Sequence, residues 1–358
     1  MSAPNTKITT LEACRGFAAV LVVLYHASGT MFEVYFGYPA VGWFRFGHAG
    51  VDFFFVLSGF IIYYVHADDC GWPDRLRSYA YRRIVRIYPI YWAVTIAMVA
   101  ASFVVSSIAA LPAMAPNRLL LSFLLLPQSG VPLVSVAWSL QHEVLFYVLF
   151  GIAIANRTAG ILAFAVWACF IAYCIFDKPQ TPLLLFIGRD FNILFFVGMA
   201  AAMIVRTGRI SCPRVVLAIG AIVFFTGGIL ENGGLDLREL LGRVVYGTGA
   251  ALMVLGLVEG ERSADWKTPK LLLWIGAASY SIYLIHLNVL VVVEKAGGAL
   301  DLGVALPGLV VLSGVVVAAV VAGLICYILL ERPLLATLRQ WNPPRSETSA
   351  PAAGPSAS

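Results

Sequence analysis

Charge is what this chain is shortest of. Asp, Glu, Lys and Arg together make up 12% of its 358 residues, where a soluble domain carries roughly a quarter. So few charges cannot cover a water-soluble globule of this size, and a chain that is 60% hydrophobic is not a disordered one. Cysteine is scarce and unpatterned: Cys14, Cys70, Cys169, Cys174, Cys212 and Cys326 form no C-x-x-C and have no histidine at metal spacing. That excludes a disulfide scaffold, a zinc site and thioredoxin-like chemistry. Alternation of period two is missing, which excludes transmembrane β-strands, and no repeat of fixed period is present. No basic stretch precedes the first apolar run, and Arg15 and His26 interrupt it. It reads as an uncleaved helix rather than a signal peptide. The formal net charge of +5 is not a nucleic-acid signature, because the basic residues cluster between apolar runs in the manner of membrane topology.

What is there is apolar sequence in lengths that cross a bilayer, about 20 residues at a time. Ten such runs occur, at 11–30, 49–66, 89–110, 136–155, 159–176, 183–205, 213–231, 239–258, 271–293 and 304–330. The fold class is therefore all-α, a polytopic membrane protein of about ten transmembrane helices. The apolar run 119–126 is too short to span and reads as an interfacial or re-entrant piece. Sixteen Lys and Arg fall in one set of loops and ends, seven in the other, and Arg15 inside the first span completes the 24. The richer side is expected to be cytoplasmic, with both termini inside. Residues 1–340 read as one transmembrane domain, and 341–358, rich in Pro, Ala and Ser, as a disordered tail.

Ionisable groups inside spans are costly and mark cavities or partners. Arg15 and His26 are eleven residues apart on the first run, which returns to nearly the same helix face about 16 Å further along. Arg15 reads as an interfacial anchor or the inner end of a functional stripe. His26 is a core histidine taken alone, but in register with Arg15 it becomes a candidate base. Asp52 lies at a depth matching His26, so it either orients that imidazole or caps its own helix. Ser58-Gly59 in the same run suits close helix packing. Glu143, in Trp138-Ser139-Leu140-Gln141-His142-Glu143, is a general acid/base or half of a salt bridge, with Arg189 a possible partner. His142 points about 100° away from it. His286 lies in Tyr280-Ser281-Ile282-Tyr283-Leu284-Ile285-His286. Arg83 and Arg86 share a helical face and could clamp one anion, or they are a plain topology anchor. Cationic groups thus lie toward the expected cytoplasmic side, and His26, Asp52, Glu143 and His286 toward the other.

These residues stand in motifs that resemble the acyltransferase 3 family of integral-membrane acyltransferases. The matches are Arg15-x10-His26, the segment Gly50 to Phe60, Arg83-x-x-Arg86 running into Ile87-Tyr88-Pro89, Trp138-Ser139-Leu140-x-x-Glu143, Phe196-Val197-Gly198-Met199, and Ser279 to His286. They occur in family order across residues 8 to 333. Glu12-Ala13-Cys14 departs from the Asp-Gly-Leu that many members carry before the arginine.

The resemblance implies a stand-alone acyltransferase, similar to exopolysaccharide O-acetyltransferases, in the cell inner membrane. Its donor would be cytoplasmic acyl-CoA, acetyl-CoA above all, with no permanently bound cofactor and no metal. Its acceptor would be a hydroxyl of a surface polysaccharide or of its lipid-linked precursor, and association with polysaccharide synthesis machinery is expected. Arg15, Arg83 and Arg86 would hold the donor's phosphates. His26 would act as general base, oriented by Asp52 or Glu143, with Tyr283 or His286 donating to the oxyanion. A covalent acyl-histidine fits the same residues. A proton-coupled transporter or flippase of a lipid-linked glycan would also show ten spans with buried His, Asp and Glu. It would be expected to carry matching inverted halves, and residues 1–180 and 181–358 do not match.

Overall fold

The computed structural model describes residues 8–40, 42–104, 116–208, 210–263 and 266–341. Among them there is no β-strand, and ten helices are long and apolar enough to cross a membrane. Their main helices are α1 (Thr9–Ala27), α2 (Ala49–His66), α3 (Leu76–Val104), α4 (Trp138–Ala155), α5 (Arg157–Phe176), α6 (Ile193–Thr207, the longer part of a span Pro182–Thr207), α7 (Pro213–Asn232), α8 (Leu240–Arg262), α9 (Ser279–Ala299) and α10 (Gly308–Cys326). Exposed apolar side chains such as Val166 on α5, Ile222 on α7 and Val317 on α10 form bands too extensive for a monomer in water. They suit lipid.

Close approach through small residues sets the inner packing. A Cβ on Gly59 of α2 would lie 2.2 Å from the Phe195 carbonyl oxygen, and one on Gly198 of α6 would lie 2.0 Å from that of Val56. The two helices therefore touch backbone to backbone, and any side chain at either glycine would force them apart. The start of α1 is capped from a distance. The Glu261 carboxylate accepts from the Thr9 and Thr10 amides, both at 2.8 Å, and from their hydroxyls at 2.8 and 2.7 Å. An anion there satisfies unpaired amides and complements the helix dipole.

Four elements depart from their expected form. The third span is not 89–110. Its helix begins at Leu76 and runs through Pro89, so Arg82, Arg83 and Arg86 lie within it. Proline removes its own N–H and crowds the carbonyl four residues back, costs that neighbouring helices in a bundle offset. Residues 105–110 lie outside those described. The sixth run, 183–205, breaks after Ile187 into a short helix, Pro182–Ile187, and α6. The ninth run, 271–293, breaks at Ala278 into a short helix, Lys270–Ala277, and α9. The tenth, 304–330, continues past Cys326 as a π-helical turn, Tyr327–Glu331, into Arg332–Arg339.

The run 119–126 forms a short helix, Pro116–Phe123, followed by irregular backbone with Leu125 at φ 54°. Its free carbonyls are taken up by neighbours. Tyr91 donates to Ser122 at 2.7 Å, Trp92 to Phe123 at 2.9 Å and Gln141 to Leu126 at 2.7 Å. Non-helical backbone at membrane depth needs such partners. Residues 342–358, nearly all of the expected tail, lie outside those described.

Candidate active site

Two cavities meet inside the bundle. The proximal one, at the end where α1 begins and Arg339 lies, has a volume of about 850 Å³. Six arginines line it, Arg15, Arg82, Arg83, Arg86, Arg332 and Arg339, against two acidic residues, Glu12 and Glu143. The distal one, of about 340 Å³, is lined by His26, Tyr25, His48, Trp138 and Phe191 among others. Val51 and Tyr283 line both. Arg15 therefore lines the proximal cavity and His26 the distal one.

The proximal arginines differ in what holds them. Arg86 Nη1 donates to Glu331 Oε1 at 2.7 Å, and Ser281 Oγ donates to Glu331 Oε2 at 2.6 Å. Glu331 sits in the π-helical turn, a local form common at functional positions. Arg86 thus spends one fork on an internal partner, while its buried Nη2 has no partner among the described residues. The Arg83 guanidinium lies over the Tyr147 ring, with its buried Nε unbonded. A cavity so lined favours a polyanion. Tyr81 Oη donates to the Leu338 carbonyl at 2.6 Å, tying the last helix, Arg332–Arg339, to α3 at the cavity mouth.

His26 and His286 touch beside the distal cavity. His286 Nδ1 is 2.6 Å from the Tyr283 carbonyl oxygen, so it carries the proton and donates. The neutral ring then offers Nε2 as an acceptor. That atom is 3.2 Å from His26 Nδ1, which also lies 2.9 Å from the Val22 carbonyl. Both contacts require His26 Nδ1 to be a donor. The His26 lone pair is therefore on Nε2, and His26 lines the distal cavity. Chemically, the pair can take a proton at Nε2 and hold the resulting imidazolium in place.

Neither candidate carboxylate orients His26; no hydrogen bond among the described residues joins it to Asp52 or Glu143. The Asp52 carboxylate, fully buried, accepts from Arg243 Nη1 at 2.6 Å, and its second oxygen is 3.9 Å from His48 Nδ1. It neither caps α2 nor faces water. Its depth matches that of His26, but its position around the α2 axis turns it toward α8. Glu143 Oε1 accepts from Ser58 Oγ at 3.0 Å and from Tyr147 Oη. Arg189 is not its partner and lies over the Phe191 ring instead. His142 bonds Asn192 at 2.9 Å and stacks on Phe186. His286, expected as an oxyanion donor, has its one N–H committed to Tyr283, so its place is behind His26. Tyr283 Oη lies 2.7 Å from Ser139 Oγ.

Sequence reasoning missed the buried cluster behind the distal cavity. Arg243 bonds Asp52, the Arg238 carbonyl at 2.6 Å and Asp190 at 3.2 Å. Glu231 accepts from His48 at 2.7 Å and from Tyr246 at 2.6 Å. The signal was present, since Arg243 sits in the apolar run 239–258 and buried charges demand partners. Counting it toward topology hid it. Glu331 lies one residue past the run 304–330, where an acidic residue reads as a loop charge. Among the described residues no group of three or more His, Cys, Asp or Glu could hold a metal ion.

Residues 8–330 match the acyltransferase domain of the acyltransferase 3 family. The exopolysaccharide production protein ExoZ of Rhizobium meliloti (strain 1021) is 32% identical over 312 residues, covering 82% of this chain and 90% of that protein. No solved structure matches the chain.

Proposed function

Because the chain belongs to the acyltransferase 3 family, and is on that ground a membrane acyltransferase, we propose that it moves a short acyl group, acetyl above all, from cytoplasmic acyl-CoA to a hydroxyl of an exported polysaccharide or of its lipid-linked precursor. The similarity to an exopolysaccharide production protein supports the acceptor class and an association with polysaccharide synthesis machinery. The Lys/Arg distribution supports a cytoplasmic proximal end in the inner membrane. Family membership sets aside the transporter reading.

The observation that carries the proposal is the His26–His286 pair at the meeting of an arginine-lined cavity and an aromatic one. The donor's phosphates lie against Arg15, Arg83 and the free fork of Arg86, and the pantetheine arm runs toward Tyr283. The acceptor hydroxyl approaches from the distal side. His26 Nε2 takes its proton as the oxygen attacks the thioester carbon; the Tyr283 hydroxyl, which donates to the Val136 carbonyl at 3.2 Å, would have to leave that acceptor to reach the oxyanion. Collapse expels the CoA thiolate, which recovers the proton from His26, leaving an ester and free CoA. Asp52 and Glu143 act as positioning residues, holding the Arg243 cluster and the Ser58–Tyr147 wall.

The test is reconstitution. Protein in liposomes should release CoA thiol from acetyl-CoA and place labelled acetyl on de-esterified exopolysaccharide oligosaccharides. Binding of neither acetyl-CoA nor any other acyl-CoA would remove the proposal.

A further inference from the structure

The distal cavity carries polar atoms that the fold leaves unused. Tyr25 Oη, His26 Nε2, Ser135 Oγ and Trp138 Nε1 belong to its lining, and none of them hydrogen-bonds a described residue. Their residues are half-buried and line the open space of the cavity, so four free donors and acceptors around it suit a partner with several hydroxyls. The remaining wall is aromatic. The Trp138 and Phe191 rings lie 5.0 Å apart, and the Tyr25 ring stands 5.7 Å from His48. Aromatic faces attract weakly positive C–H groups, and a pyranose presents such a face beside a rim of hydroxyls. At about 340 Å³ the space falls at the small end of ligand sites, suiting one sugar unit rather than a chain.

The walls are held rigidly from behind. The Arg243 guanidinium lies 3.6 Å from the Phe191 ring centroid and is itself fixed by Asp52 and Asp190. His48 is fixed by Glu231. The buried ion cluster, which takes no part in proton transfer, thereby preorganises a binding surface and lowers the cost of ordering it.

We infer that this cavity is the acceptor subsite for a single pyranose unit, stacked on the Trp138–Phe191 wall and oriented by the Tyr25 and Ser135 hydroxyls so that one sugar hydroxyl meets His26 Nε2. The inference rests on the acyl-transfer reading above. Tyr25 and Ser135 are positioning residues. Removing only their oxygens, in the double variant Tyr25→Phe/Ser135→Ala, leaves shape and packing in place.

The experiment titrates de-esterified oligosaccharides of the producing strain's exopolysaccharide against the full-length protein in nanodiscs, with acetyl-CoA as donor. The double variant should raise the oligosaccharide KM about tenfold and leave the acetyl-CoA KM where it was. An unchanged oligosaccharide KM, or an equal rise in both, would overturn the subsite while the acyl-transfer reading stands. Absence of transfer by the unmodified protein would overturn that reading and the subsite with it.

Discussion

His286 Nε2 accepts from His26 Nδ1 across 3.2 Å, two residues 260 positions apart in the chain. The Tyr283 carbonyl fixes the proton on the far side of the His286 ring, so the bond runs in one direction only. An imidazole takes the place that a carboxylate fills in a hydrolase triad. In the proposed transfer there is no negative charge behind it, so the imidazolium formed on His26 would be held by hydrogen bonds alone.

From that relationship His286→Phe should cut kcat about a hundredfold, because His26 loses the acceptor that fixes its orientation. KM for the donor should stay near its original value. His286→Gln keeps an acceptor and should recover part of the rate. Steady-state kinetics of both variants decide it, and equal loss in both would mean that only packing is at stake.

The two proximal arginines should separate. Arg83→Ala should raise the acyl-CoA KM about tenfold with little change in melting temperature. Arg86→Ala strands the buried Glu331 carboxylate, which is only 1% exposed, and should cost about 3 kcal/mol of stability. The double variant Arg86→Met/Glu331→Met should melt higher than Arg86→Ala. Thermal melts in detergent, alongside kinetics, check both halves.

Much of the fold was legible because membrane spans announce themselves by length and apolarity, and all ten appeared near their expected places. Register along a helix was legible too, since Arg15 lines the cavity at the start of α1 and His26 the one further along it. Rotation between helices was not. Matching depth suggested Asp52 for His26, but depth does not say which way a side chain points, and Asp52 faces Arg243. Arg243 itself was hidden by being counted as a topology charge, although it lies within a span. Pro89 suggested a helix start, where the packed bundle carries α3 straight through it.

Arg243→Ala should be the most damaging change outside the histidine pair. It leaves Asp52 buried and unpaired, at a cost of about 3–5 kcal/mol, and it removes the support behind Phe191. Asp52→Asn should be milder, since the amide oxygen still accepts from Arg243. Comparing yield and melting temperature of the two variants tests the ranking. A milder Arg243→Ala would show the cluster to be dispensable.

Gly59 and Gly198 should tolerate nothing larger. Alanine at either position meets carbonyl oxygen at about 2 Å, so α2 and α6 must separate, at roughly 2 kcal/mol or more. Gly314, whose Cβ would meet nothing within 4 Å, is the matched control and should accept alanine freely. Expression level and size-exclusion profile distinguish them.

The most direct test of His26 as the base is the ester content of the producing organism's exopolysaccharide. A strain lacking the gene is compared with the same strain carrying the wild-type or His26→Ala gene, with membrane levels of the two proteins matched. One base-labile acyl group should disappear on deletion, return with wild type and stay absent with His26→Ala. Return of that ester with His26→Ala would contradict the account.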